Sequence, residues 1–188
     1  MSDGILLGHS YGTLIALHAS LNASERLRGV ALLAPIGLRP HRGFRRYPSA
    51  KFGATACRLP VVGPILTSLV RKSFKSAGFR KPISNDQIHR TLDAVASWRF
   101  DTYAANVAAL SLPVFGAYCS DDHLIEDDIM HDLLRRCPDG PRLHFPTGGH
   151  NLQKTRAIEV GEALVAWMDS LGCTTPQNPI RVNDSEIS

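Results

Sequence analysis

Apolar residues fall along this chain in short blocks whose period changes. Gly4–Leu7 is a brief apolar run bounded by glycine, which suits a buried strand. From Tyr11 to Leu21 the apolar positions are Leu14, Ile15, Leu17, Ala19 and Leu21, with no Pro or Gly after Gly12. That spacing predicts a helix, apolar on most sides and packed. Val30–Ala34 (VALLA) is a second strand-like run, stopped by Pro35. Strand, turn, helix and strand together predict a parallel βαβ unit.

The rhythm breaks from Ile36 to Leu110. A turn-rich basic stretch, GLRPHRGFRRYPSAKFG, comes first. Pro64 then opens a predicted helix that runs through Lys75, with proline at its first position. A second helix is predicted from Ser84, whose Ser84-Asn-Asp-Gln is a capping box, to Trp98. Asp101 is a candidate cap for a third, ending near Leu110. This segment reads as an insertion of helices between strands. Pro60–Leu66 within it is apolar, fit either to line an acyl pocket or to pack the insertion onto the body.

The strand–helix rhythm resumes at Pro113. Val114–Tyr118 is a strand, and Glu126–Cys137 a helix with acids in its first turn and Arg135 and Arg136 in its last, as the helix dipole favours. Arg142–Phe145 is a short strand. Thr155–Leu171 is a helix with Val160, Leu164, Trp167, Met168 and Leu171 on one face. Residues 1–172 read as one domain with the insertion at 36–110, and 173–188 as a polar, disordered tail.

Composition narrows the class. With 188 residues, 44% hydrophobic and 20% charged, the chain suits one soluble globular domain. No apolar run approaches a membrane span, and the N-terminus lacks a signal-peptide layout. The four cysteines, Cys57, Cys119, Cys137 and Cys173, form neither a CxxC nor a metal-ligand spacing. Buried thiols in a cytoplasmic protein, with no metal, are expected. The net charge of +4 is unevenly spread: Arg26 to Lys81 holds 13 Lys/Arg and no Asp or Glu. The stretch Arg39–Lys81, interleaved with aromatics, is a candidate surface for anionic lipid or an acidic substrate. No nucleic-acid recognition motif accompanies it.

Gly8-His9-Ser10-Tyr11-Gly12 is the motif G-x-S-x-G, set between a predicted strand and a predicted helix. A strand that turns into a helix within a residue leaves Ser10 strained at the apex with Oγ exposed. Gly8 and Gly12 are expected to remove side chains that would collide there. The Tyr11 N–H then lies where an oxyanion would form. A serine nucleophile needs a base, and the base an orienting acid. The loop after Val114–Tyr118 supplies Asp121 and Asp122; the loop after Arg142–Phe145 supplies His150. His9, His123 and His144 are competing bases. The candidates sit beyond the carboxyl ends of strands, where open parallel sheets place their sites.

These three blocks, GHSYG, PVFGAYCSDDHLI and FPTGGH, resemble the C-terminal part of the α/β-hydrolase fold superfamily, in that family's order of nucleophile, acid and base. The resemblance implies a partial α/β-hydrolase fold: a parallel sheet of about four strands flanked by helices, with the insertion as lid. It implies Ser10 as nucleophile, His150 as general base, Asp122 as orienting acid and Tyr11 as one oxyanion donor, with no cofactor. Asp122 fits the family pattern of acid, any residue, then two apolar residues, although Cys119 stands where a glycine is usual. The implied activity is a serine hydrolase acting on a small acyl substrate, or an acyltransferase using the same triad. The family's elbow strand is preceded by further strands and by a loop that supplies the second oxyanion N–H. Their absence leads us to expect a fragment whose Gly4–Leu7 edge calls for a partner chain or a missing segment. The alternative is a non-catalytic relative that binds a ligand or partner.

Overall fold

Four strands pair in parallel, and their order across the sheet is their order along the chain: β1 (Gly4–His9), β2 (Leu27–Leu33), β3 (Val114–Cys119) and β4 (Arg142–Phe145). The computed structural model of the chain describes residues 4–45, 50–76 and 82–173. Every residue of β3 is buried, as are Gly29 to Leu33 of β2, the near-continuous apolar burial of strands covered on both faces. At β1, an edge strand among the described residues, only Gly8 is buried and Leu7 is 45% exposed.

Helices cover the two faces. α1 (Gly12–Asn22) connects β1 to β2 and packs on both, through Ala16 and Leu17. Its outer side carries Ile15, 57% exposed, so the helix is packed on fewer sides than its composition suggests. Neighbouring β3 residues point to opposite faces and meet different helices. Phe115 meets Trp167 of the last helix, ring centroids 5.7 Å apart. Gly116 meets Leu134 of the helix Asp127–Arg136. The indole of Trp167 also fills the space that a side chain at Gly29 would need, 2.5 Å from that Cβ position. Glycine in β2 thus lets the last helix approach the sheet.

Among the described residues, five helices lie between β2 and β3: α2 (Arg42–Arg45), α3 (Ala50–Ala56), α4 (Gly63–Ser76), α5 (Asn85–Ala96) and α6 (Phe100–Ala109). α2 and α3 replace part of the expected turn-rich stretch. Ser84 caps α5 through the anticipated reciprocal bonds with Gln87. Arg99, not Asp101, is the cap position of α6; Asp101 lies in the first turn and pairs with Arg99 at 2.8 Å. Ala54, Cys57, Ile88 and Leu92, with Leu66, Val70 and Ile83, form a small core of their own. α6 instead joins the main core through Tyr103 and Val107. Most of Pro60–Leu66 fits neither role expected of it: Pro60, Val61, Val62 and Ile65 are exposed, and Leu66 packs inward.

β3 and β4 flank α7 (Asp127–Arg136). An unexpected short helix, α8 (Leu152–Thr155), precedes the expected final one, Thr155–Leu171, which is α9 (Ala157–Ser170). The break falls at Arg156, at φ −126° and ψ 32°, whose side chain reaches back to Thr147. Cys173 is buried rather than part of a tail, and residues 174–188 lie outside the described residues.

The Trp167 contacts predict that Trp167→Ala costs about 3–5 kcal/mol, as for other large core aromatics. Urea denaturation of the variant beside the parent measures it.

Candidate active site

The carboxyl end of each strand is tied to its neighbour by one backbone hydrogen bond just past the strand. Ser10 N–H donates to Leu33 O at 2.9 Å, Ala34 N–H to Ala117 O at 2.8 Å, and Ser120 N–H to Phe145 O at 2.9 Å. Three loops leaving β1, β3 and β4 are thereby held side by side at one edge of the sheet. They carry Ser10, Asp122 and His150.

Ser10 adopts φ 53°, a left-handed conformation that a residue with a side chain rarely takes. The turn is held by the Thr13 N–H and Oγ1–H, which donate to Ser10 O at 3.0 and 2.6 Å. Gly8 is required: a Cβ there would stand 2.5 Å from Gly12 O and 2.8 Å from Thr13 Cα. Gly12 is not required in that way. Nothing lies within 4 Å of its Cβ position, which corrects the expectation that both glycines avoid collisions.

From this turn Ser10 Oγ–H donates to His150 Nε2 at 2.7 Å, and His150 Nδ1–H donates to Asp122 Oδ2 at 2.7 Å. The Asp122 side chain has no exposed surface. Its other oxygen accepts from the N–H groups of Leu124 and Ile125 at 2.8 and 3.1 Å. Burial alone would raise its pKa. The hydrogen bond and charge of His150, with the two backbone donors, outweigh burial and hold the carboxyl below its ordinary value.

Asp121, the rival acid, does different work. Its two oxygens accept from Gly148 N–H at 3.2 Å and Gly149 N–H at 2.7 Å, so it grips the backbone just before His150. Gly148 and Gly149 have φ of 147° and 67°, which points their amides at one carboxylate. Thr155 Oγ1–H on Gly148 O, at 2.6 Å, and the Arg156 guanidinium on Thr147 O, at 2.9 Å, hold the same loop from behind. Cys119 does not displace the acid loop. It ends β3, fully buried, and a Cβ on Gly148 would lie 2.7 Å from its sulfur, so the thiol occupies space that the glycine leaves. Burial pushes that thiol up to about 11.

The other histidines separate clearly. His9 Nε2–H donates to the His150 carbonyl at 2.8 Å, and burial lowers its pKa. His123 is exposed. His144 stacks on Tyr118 and donates to Ser120 Oγ at 2.6 Å, away from the Ser10 chain of bonds. Two groups absent from the sequence reading join the site. His41, buried, donates from Nδ1 to Leu124 O at 3.1 Å. Trp98 stands between the rings of Tyr11 and His41, 5.6 Å from each, and stacks on Phe100. Trp98 gave no signal because the contact joins distant segments. Among the described residues no group of three or more His, Cys, Asp or Glu could hold a metal ion, and no helix is long and apolar enough to cross a membrane.

A family model described as alpha/beta hydrolase fold matches residues 2–157. Solved structures agree on the fold. An alpha/beta hydrolase fold protein from Burkholderia ambifaria superimposes with a TM-score of 0.63 at 20% identity, over 88% of this chain and 66% of its own. The haloalkane dehalogenase DbeA from Bradyrhizobium elkani USDA94 gives 0.60 at 17% identity, over 91% of this chain and 68% of its own. An alpha/beta hydrolase enzyme from a sediment metagenome of the lagoon of Mar Chica, Morocco, gives 0.57 at 18%, over 88% and 61%. No curated protein matches the chain.

Two predictions follow from this geometry. Gly8→Ala destabilises by about 1–3 kcal/mol through overpacking, whereas Gly12→Ala is neutral or stabilising by up to about 1 kcal/mol; thermal melts of both variants separate them. The lowered pKa of Asp122 contributes stability in full above its unfolded value and loses it as pH falls through the folded one. Asp122→Asn therefore flattens the acid limb of stability below the ordinary carboxylate value, read by circular dichroism during acid titration.

Proposed function

The chain belongs to the alpha/beta hydrolase fold family, and from that footing we propose that it is a serine hydrolase acting on an ester, thioester or amide through an acyl-enzyme. The observation that carries the proposal is the unbroken line from Ser10 Oγ through His150 to the buried Asp122, each bond 2.7 Å. Ser10 Oγ attacks the substrate carbonyl while His150 Nε2 takes its proton. Asp122 stabilises the imidazolium through Nδ1–H. The oxygen of the tetrahedral intermediate is met by the N–H of Tyr11, the cap residue of α1, where helix amides lack partners within the helix. His150 then returns the proton to the leaving alcohol, thiol or amine, and the carbonyl re-forms as the acyl-enzyme. Water, deprotonated by His150, attacks the acyl carbon; Ser10 leaves with the proton and the acid is released.

The helices between β2 and β3 act as a lid in this reading. Trp98, from the turn between α5 and α6, meets Tyr11 and His41 and offers an aromatic wall to an acyl chain. A cytoplasmic setting agrees with four cysteines that are free and buried.

The test is labelling of the full chain with a fluorophosphonate probe. The parent labels, and Ser10→Ala and the heat-denatured parent do not. Asp122→Asn lowers the rate by about 10⁴, the cost of a wrong imidazole tautomer. Asp121→Asn, which leaves the side-chain line intact, lowers it far less. Labelling that survives in Ser10→Ala overturns the proposal.

A further inference from the structure

The helix α4 is apolar on two sides, and only one of them is covered. Its inner side places Leu66 and Val70 against the small core of Ala54, Cys57, Ile88 and Leu92, with Thr67 buried beside His89. Its outer side carries Ile65 and Leu69, 64% and 55% exposed, and the loop leading into it carries Val61 at 80%. Val62, Ile65, Leu69 and Lys72 follow one another at spacings of three and four, so they form a single ridge along the helix. A surface helix normally turns polar side chains outward, opposite the face it packs. Leu59, Val61, Val62, Ile65 and Leu69 thus concentrate large exposed apolar side chains in one short segment.

Charge identifies what the ridge meets. Its helical end is cationic, with Arg71 and the exposed Lys72, and neither α3, α4 nor the loop between them contains an acid. The two acids of α5 are matched internally, Asp93 with Arg58 at 2.6 Å and Asp86 with Arg90 at 2.8 Å. Arg71 is held in place by bonds to Ile83 O and to Asn85, with no carboxylate paired to it among the described residues. An apolar ridge bordered by cations matches a surface that is apolar beneath and anionic at its rim. A second copy of the chain matches it poorly, because a two-fold contact places like patches together and sets the cations of one copy against those of the other. At 14 residues α4 is too short to span a bilayer, so it would lie in the interface plane.

We propose that the outer face of α4 and the loop before it dock the protein on an anionic membrane surface, with Val61, Val62, Ile65 and Leu69 entering the acyl boundary and Lys72 facing the head groups. The docking is independent of catalysis. It would bring apolar acyl substrates to a protein whose described residues include no membrane-spanning helix.

Co-sedimentation of the full chain with phosphatidylcholine vesicles, with and without phosphatidylglycerol, tests this. Binding is expected to the mixed vesicles, to weaken with salt, and to be unchanged in Ser10→Ala. Lys72→Ala should weaken it about fivefold. The double variant Ile65→Asp/Leu69→Asp, at exposed positions, should weaken it a hundredfold or more on the order-of-magnitude cost of losing two buried apolar side chains, with an unchanged circular dichroism spectrum. Absence of binding to mixed vesicles, or equal binding by the double variant, overturns the proposal. So does a dimer that the same double variant dissolves in the absence of vesicle binding, which would assign the ridge to a second copy.

Discussion

A carboxylate stripped of water is the constraint on which the site depends. Asp122 has no exposed side-chain surface, and an ion in that position is tolerated only when its oxygens are hydrogen-bonded and its charge is answered. One oxygen is answered by His150, the other by the amides of Leu124 and Ile125. The two amides come from the loop that carries the acid, so the loop must curl over its own side chain. The imidazole comes from another strand. Removing either group leaves the buried charge short of a partner, so the geometry of the site and the folding of two loops are one problem.

The sheet solves it by placing β3 beside β4 and then locking their loops together. The adjacent acids divide the task. Asp122 orients the ring of His150, and Asp121 fixes the peptide groups just before it. His9 fixes the carbonyl of the same residue from the other direction. His150 is thus held at its ring by Asp122 and at its carbonyl by His9, the turn before it is held by Asp121, and the fully buried thiol of Cys119 fills the gap beneath Gly148. Such over-determination is what lets Ser10 persist at a positive φ beside it.

Much of this was legible in residues alone, for physical reasons that differ by position. The strand–turn–helix around Ser10 could be read because Gly8 sits where any Cβ would strike Gly12 O. Asp121 and Asp122 could not be separated by residue type: both lie past the same strand, and the family pattern alone favoured Asp122. What separates them is which oxygen meets a ring and which a peptide, a matter of loop geometry. Trp98 and His41 were invisible for a related reason. Their contacts with each other and with Tyr11 join segments far apart in the chain. The short helix α8 before the last one was not legible either: the turn at Arg156 that separates them goes with the reach of its guanidinium to Thr147, a tertiary contact that no local pattern records.

The division of the interior into two cores bears on how the molecule breathes. Ala54, Cys57, Ile88 and Leu92 close a cluster apart from the one that seals the sheet, and α6 belongs to the latter. Cooperative units follow such boundaries. This boundary predicts that α3, α4 and α5 part from one another and exchange their amides more readily than β2 and β3. Trp98 packs against the main core and stacks on Phe100 of α6, so the aromatic wall beside Ser10 belongs with the strands that carry Ser10, Asp122 and His150 and not with the small core. Substitutions in the small core are thus expected to loosen α3, α4 and α5 from one another while leaving the strands, the aromatic wall and the Ser10 line of bonds together.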